Sequence, residues 1–225
     1  MTKMTKTATV VLFGMTILTS CLTAKKVDKQ VAKQYADKQQ GQRKKQTDLI
    51  SITSPLISTD NRISTSETKT SKMLPLLLYW SWDYKNTCTL NPQIPINNFT
   101  ATVLNYAGRR LNDKIKGQKL ELVVDKIPNQ FAIDDKAHLI FFGYAFGWDN
   151  VSIKAESMDI VVSYSLSKDN LEVKKGVISI PNFNDKRNLG MFTSWKKATT
   201  EYLDQYDQNI ATLSKLVVDK LVSEL

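Results

Sequence analysis

The last thirty residues set the strongest condition on what this chain can fold into. From Trp195 onward it reads "WKKATTEYLDQYDQNIATLSKLVVDKLVSEL", without glycine or proline, and Trp195, Ala198, Tyr202, Tyr206, Ile210, Leu213, Val217 and Leu221 recur at intervals of three or four. That spacing places them on one stripe of a single amphipathic helix. A helix of about seven turns in water owes its stability to packing far more than to propensity. The rest of the chain must therefore supply an apolar surface long enough to receive it.

The preceding segments offer that surface as strands. "KLELVVDKIP" (119–128) alternates apolar and charged residues until Pro128 stops it, which predicts a half-exposed strand. Met158, Ile160, Val162, Tyr164 and Leu166 alternate with polar residues, "SKDN" turns the chain, and "LEVKKGVISIP" returns, so residues 158–181 predict a hairpin. Two continuously apolar runs, "LPLLLYWSW" (74–82) and "HLIFFGYAFGW" (138–148), read as one buried strand each. Between them, Asn97 or Asn98 can cap a helix with Leu104, Ala107, Gly108, Leu111 and Ile115 on one face and Gly117 at its end. The expectation is an α+β fold: a single domain over residues 73–225, with a mixed or antiparallel sheet packed against two helices.

The formal net charge of +9 would ordinarily point to an acidic partner. Its distribution argues otherwise. Residues 22–72 hold eleven Lys and Arg against five acids, whereas residues 73–225 hold eighteen against seventeen. The basic character belongs to one segment, so no nucleic-acid surface is expected. That segment is rich in Lys, Gln, Ser and Thr and predicts a polar tether. Within it, Val27, Val31 and Tyr35 recur at four-residue spacing, and residues 49–58 ("LISITSPLIS") have the β-branched content of a strand.

The first twenty residues read as an export signal, with Lys3 and Lys6 followed by the uncharged run "ATVVLFGMTIL". That run is short for a membrane-spanning helix, which needs about 20 apolar residues. Next come Leu18, Thr19, Ser20 and Cys21. This quartet resembles the lipobox of bacterial lipoproteins. The resemblance implies cleavage before Cys21, lipid on its thiol and its new amino group, and attachment to a membrane through that anchor. Leu22, in place of aspartate after the cysteine, is consistent with the outer membrane more than the inner. The plainer alternative is an ordinary cleaved signal with Cys21 incidental.

Only two cysteines and one histidine are present. With Cys21 lipidated, Cys88 has no disulfide partner and is expected to be buried and inert. His138, inside an apolar run, is expected at a strand end, and Asp134 and Asp135 in a turn or cap. None of the phosphate-loop, nucleophile-elbow, zinc or dinucleotide motifs occurs. The expectation is a protein that is not an enzyme and has no cofactor and no metal site.

What remains is aromatic. Trp80, Trp82 and Tyr84 alternate on one side of a predicted strand, and Tyr144, Phe146 and Trp148 lie on another. Trp80, Trp82, Tyr84 and Trp148 form a candidate binding face for a sugar or an apolar ligand. The alternative places these rings beneath a helix. The order of elements over the last 120 residues or so, ending in a helix that starts near a Trp, resembles that of auxiliary lipoproteins of ABC-type lipid-transport systems. That resemblance implies a non-catalytic accessory of an envelope complex with protein partners. The other function consistent with the residues is a tethered carbohydrate- or lipid-binding protein.

Overall fold

The computed structural model describes residues 22–36, 49–57, 59–76, 78–155, 157–169, 171–182, 187–188 and 194–225. In chain order they form α1 (Ala24–Ala36), β1 (Ile50–Thr53), β2 (Ser64–Leu76), β3 (Tyr79–Leu90), α2 (Gln93–Tyr106), α3 (Gly108–Ile115), β4 (Lys119–Lys126), β5 (Gln130–Phe141), β6 (Ala145–Ala155), β7 (Ile160–Lys168), β8 (Leu171–Ile180), β9 (Arg187–Asn188) and α4 (Trp195–Glu224). The fold is α+β, with two sheets where the sequence predicted one. A four-stranded mixed sheet has the order β1-β4-β7-β8, with β1 parallel to β4, and a five-stranded antiparallel sheet has the order β2-β3-β5-β6-β9. The chain passes from the first sheet to the second after β4 and returns after β6. The β5–β6 hairpin is thus an insertion between neighbouring strands of the other sheet.

The long helix forms as its stripe requires. Ser194 caps α4, its side chain accepting from the Lys197 N–H, and Leu203, Tyr206, Ile210, Leu213, Val217, Val218 and Leu221 are buried against the sheets and the other helices. Trp195 is only half-buried at the start of the helix, with the Lys196 ammonium 5.7 Å from its ring centroid. At the far end, the Tyr164 hydroxyl donates to Glu224 Oε2 at 2.9 Å, tying the helix to β7. Opposite Tyr164, a Cβ on Gly176 would lie 2.7 Å from its ring and hydroxyl, so β8 needs glycine there.

The helix expected to start at Asn97 or Asn98 begins at Gln93, where the Asn91 side chain accepts from the Gln93 N–H at 3.0 Å. It breaks at Ala107 and resumes as α3, and Lys116 and Gly117 end it with φ of +47° and +80°. Asn98 instead reaches across to α4, donating to the Asp207 carbonyl at 2.9 Å.

The expected tether is the main correction. The folded body begins at Leu22, which is 1% exposed, not at residue 73. Val27, Val31 and Tyr35 form the buried stripe of α1, which packs on β2, β3 and α4. Asp28 accepts from the Ser64 and Ser66 hydroxyls, each at 2.7 Å, and Tyr35 donates to Asp207 Oδ1 at 3.0 Å. Composition averaged over fifty residues outweighed a three-residue stripe, yet three apolar positions spaced by four suffice to dock this short helix. The strand expected within 49–58 is β1. Residues 37–48 lie outside the described residues, as do the export signal and Cys21.

Burial raises the Tyr35, Tyr202 and Tyr206 pKa values above the ordinary 10.0, with Asp207 adding to it at Tyr35. The Tyr206 hydroxyl donates to the Pro128 carbonyl at 2.6 Å, where the chain crosses between sheets. A raised folded-state pKa means that the unfolded chain loses these protons first. Their contribution is therefore complete below the unfolded value of 10.0 and is lost as pH climbs above it. Denaturant melts at stepped pH should show stability falling steeply above about pH 10, less steeply in Tyr206→Phe. Separately, Ile210→Ala should cost about 2 to 5 kcal/mol in equilibrium unfolding, a large share of the roughly 5 to 15 kcal/mol that holds a domain together. Trp195→Ala, at a half-buried position, should cost less.

Candidate functional site

Four strands of the antiparallel sheet are unusually long, at 11 to 13 residues. Their lower halves belong to the core. On the inner face, Cys88 pairs with Phe131, Asn86 with Ile133, and Ile133 with Ile153, and all five side chains are buried beneath α1 and α4. Burial ends at the rank of Asp135. Among the described residues, none from 78 to 85 or from 136 to 148 is buried. The upper sheet therefore overhangs the helical layer by five ranks, from Asp83 to Tyr79, reaching about 17 Å beyond Tyr84 at the antiparallel rise.

This overhang consists of two hairpins side by side. The runs expected as single buried strands each contain a turn: one lies between β2 and β3, and the other, at residues 142–144, uses Gly143 with φ +78°. The Phe141 N–H donates to the Leu78 carbonyl at 2.8 Å and ties the two turns together. No Lys, Arg, Asp or Glu occurs from 74 to 82 or from 137 to 148. Leu76 is 62% exposed, Phe142 67%, Tyr144 84% and Phe146 57%, with Leu78 and Phe141 also exposed.

Register decides which rings share a face. Trp80 pairs with Leu139 and Trp82 with Ala137, so Trp80, Trp82 and Tyr84 do line one side, the side continuous with the core. Trp148 does not join them. It pairs with His138, which pairs with Ser81, and so projects from the opposite side. There it stacks on His138, with ring centroids 4.9 Å apart, and meets Phe146 at 5.8 Å and Tyr79 at 6.4 Å. The expected single face of Trp80, Trp82, Tyr84 and Trp148 is therefore two faces of one blade. All four are half-buried, and Trp148 is held by its neighbouring rings.

His138 is clamped in this second face. The Tyr79 hydroxyl is 2.7 Å from its Nδ1 and the Asn150 amide 3.2 Å from its Nε2, so both ring nitrogens are engaged. Asp134 and Asp135, expected in a turn, lie in the middle of β5 opposite Lys85 and Tyr84. Cys88 is fully buried, and burial pushes its thiol up to about 11 against hydrogen bonds from Ser66 and Ser64 that lower it. That environment suppresses the thiolate a nucleophile needs.

An open groove of about 550 Å³ lies elsewhere, at the crossover between sheets, lined by residues that include Pro92, Asp125, Lys126, Ile127, Asn129 and Asp159. Its Asp125 carboxylate is already engaged, accepting from the Ser163 hydroxyl at 2.6 Å and N–H at 3.1 Å. No group of three or more His, Cys, Asp and Glu side chains able to hold a metal occurs among the described residues. None of the described helices is long and apolar enough to cross a membrane. Comparison with protein-family models, curated proteins and solved structures returns no match.

The overhang should be separable from the core by mutation. Tyr144→Ser, at an exposed turn, should leave the melting curve unchanged, whereas Phe131→Ala in the lower sheet should lower stability by about 3 to 5 kcal/mol. A thiol reagent should leave Cys88 unmodified in the native protein and react once denaturant is added.

Proposed function

We propose that this chain is an exported lipoprotein of a bacterial envelope, anchored at Cys21, that acts without catalysis as an accessory component of an envelope assembly. The observation that carries this reading is the aromatic overhang, uncharged toward its tips, a contact surface built on paired strands, on the side of the body from which the chain reaches α1. The Ala24 N–H donates to Thr68 Oγ1 at 3.2 Å, while Asp28, one turn on, holds Ser64 and Ser66. Helix α1 therefore runs antiparallel to β2, with its N-terminus nearer the overhang. A lipid on Cys21, one residue before the buried Leu22, would hold the body close to the bilayer in a fixed orientation instead of on a long stalk.

The lipobox residues Leu18 to Cys21 support the anchor, and Leu22 favours the outer membrane. The resemblance in element order to auxiliary lipoproteins of lipid-transport systems supports the accessory role. A second reading, a tethered binding protein for a carbohydrate or lipid, rests on the Tyr79, His138 and Trp148 cluster, since stacked rings beside engaged polar groups suit such ligands.

Metabolic labelling with a fatty-acid analogue should mark the wild-type protein. The Cys21→Ser variant should lose the label and leave the membrane fraction. An unlabelled wild-type chain would overturn the anchor.

A further inference from the structure

We infer that the paired hairpin tips of the overhang insert into the interfacial layer of a lipid bilayer. This names the partner of the surface described above and rests on the reading of the chain as a membrane-attached protein.

Three observations converge on lipid. First, the apolar surface is not a patch. Leu76 and Phe146 lie on one face, Trp80 on the other, and Leu78, Phe142 and Tyr144 on the turns, so the element is apolar all round. A flat protein interface covers one side of a sheet, whereas a fluid medium surrounds the whole blade. Second, the side chains are zoned along the strands. Leu78 and Phe142 lie at the tips, and Tyr79, Trp80, Trp82, His138 and Trp148 follow. Behind them the charged part of the sheet begins with Asp149 and the Asp83–Lys136 pair, followed by the exposed Lys69 and Lys85 and, lower still, Lys154. Hydrocarbon-seeking tips, a belt of amphipathic rings and then lysines match the order of acyl chains, carbonyl region and phosphates met on entering a bilayer. Third, the N-terminus of α1 faces the same end, so a lipid on Cys21 and the hairpin tips would address the same membrane.

The depth of insertion is limited by hydrogen bonding. Both outer strands of the overhang have free edges among the described residues, because β9 pairs with β6 only at Ser152 and Ile153, well below it. Free edges do not occur within hydrocarbon, where unmatched backbone groups have no partner. The ranks between the turns and Asp149 span about 10 to 14 Å, enough for the headgroup and upper acyl region and far short of a roughly 30 Å core. The blade is an interfacial wedge, not a spanning strand pair.

The test uses the intact protein on phosphatidylcholine and phosphatidylglycerol vesicles, with or without lipids brominated near the carbonyl end of their acyl chains. Three of the four tryptophans, Trp80, Trp82 and Trp148, sit in the overhang. Their emission should shift to the blue and be quenched by the brominated lipid. A Phe142→Asp, Tyr144→Asp double variant should lose most of that quenching while floating with the vesicles through its anchor and melting like wild type. Wild-type protein that floats but shows equal emission on both vesicle types would overturn the inference, as would a double variant quenched as strongly as wild type. If Cys21 proves unlipidated, the anchor fails on its own evidence. Quenching on mixing the unanchored protein with the same vesicles then decides the hairpins separately, and its absence overturns them.

Discussion

Burial of the α4 stripe between two sheets is the contact on which the rest of the structure depends. Each sheet has one apolar face, and the two exchange strands, since β5 and β6 interrupt the succession from β4 to β7. Such an arrangement leaves a seam at each crossover. α4 packs against strands of both sheets, and its Tyr206 satisfies the Pro128 carbonyl at the crossing between β4 and β5. Leu203, Ile210, Val217 and Leu221 then fill the volume between the layers. The stripe runs over so many turns because it serves two sheets and three further helices, α1, α2 and α3, at once.

The overhang follows from a mismatch of lengths. The core occupies only the lower ranks of β2, β3, β5 and β6, where Cys88, Asn86, Phe131 and Ile133 face α1 and α4. Above Asp135 the strands keep their backbone pairing without a helical layer to cover them. Apolar side chains there do not stabilise the core, and their contacts with one another recover only part of the surface they leave in water. A surface of this kind on a folded body points to something that covers it. The overhang and the lower sheet are made of the same strands, β3, β5 and β6 keeping one register from core to tip while β2 shifts register between Lys69 and Lys72.

Attachment of α1 bears on how that surface is presented. Its stripe of Val27, Val31 and Tyr35 is short, and much of its specificity comes from polar contacts: Asp28 with Ser64 and Ser66, Gln30 with Thr200, and Tyr35 with Asp207. These fix the direction of the helix along β2. A lipid at Cys21 would then transmit its position to the blade through a rigid connection.

The sequence by itself determined the longer elements whose residues alternate between two environments. The α4 stripe, the β4 pattern, the β7–β8 hairpin and the helix end at Gly117 were legible because one face meets the core and the other meets water, and that contrast is written into residue spacing. The lipobox resemblance at residues 18–21 is of a different kind, read from a contiguous quartet that needs no fold, and it stands as a proposal. Only the tertiary structure decided the rest. Residues 74–82 and 138–148 carry no charge, so periodicity could not mark their turns, and the Gly143 turn was hidden among aromatic neighbours. The separation of Trp148 from Trp80 and Trp82 depends on strand register, which arises from pairing between segments more than fifty residues apart. Whether an apolar run is core or surface depends on how far the covering helices reach, and that is a property of the packed layers, set by no single stretch of chain.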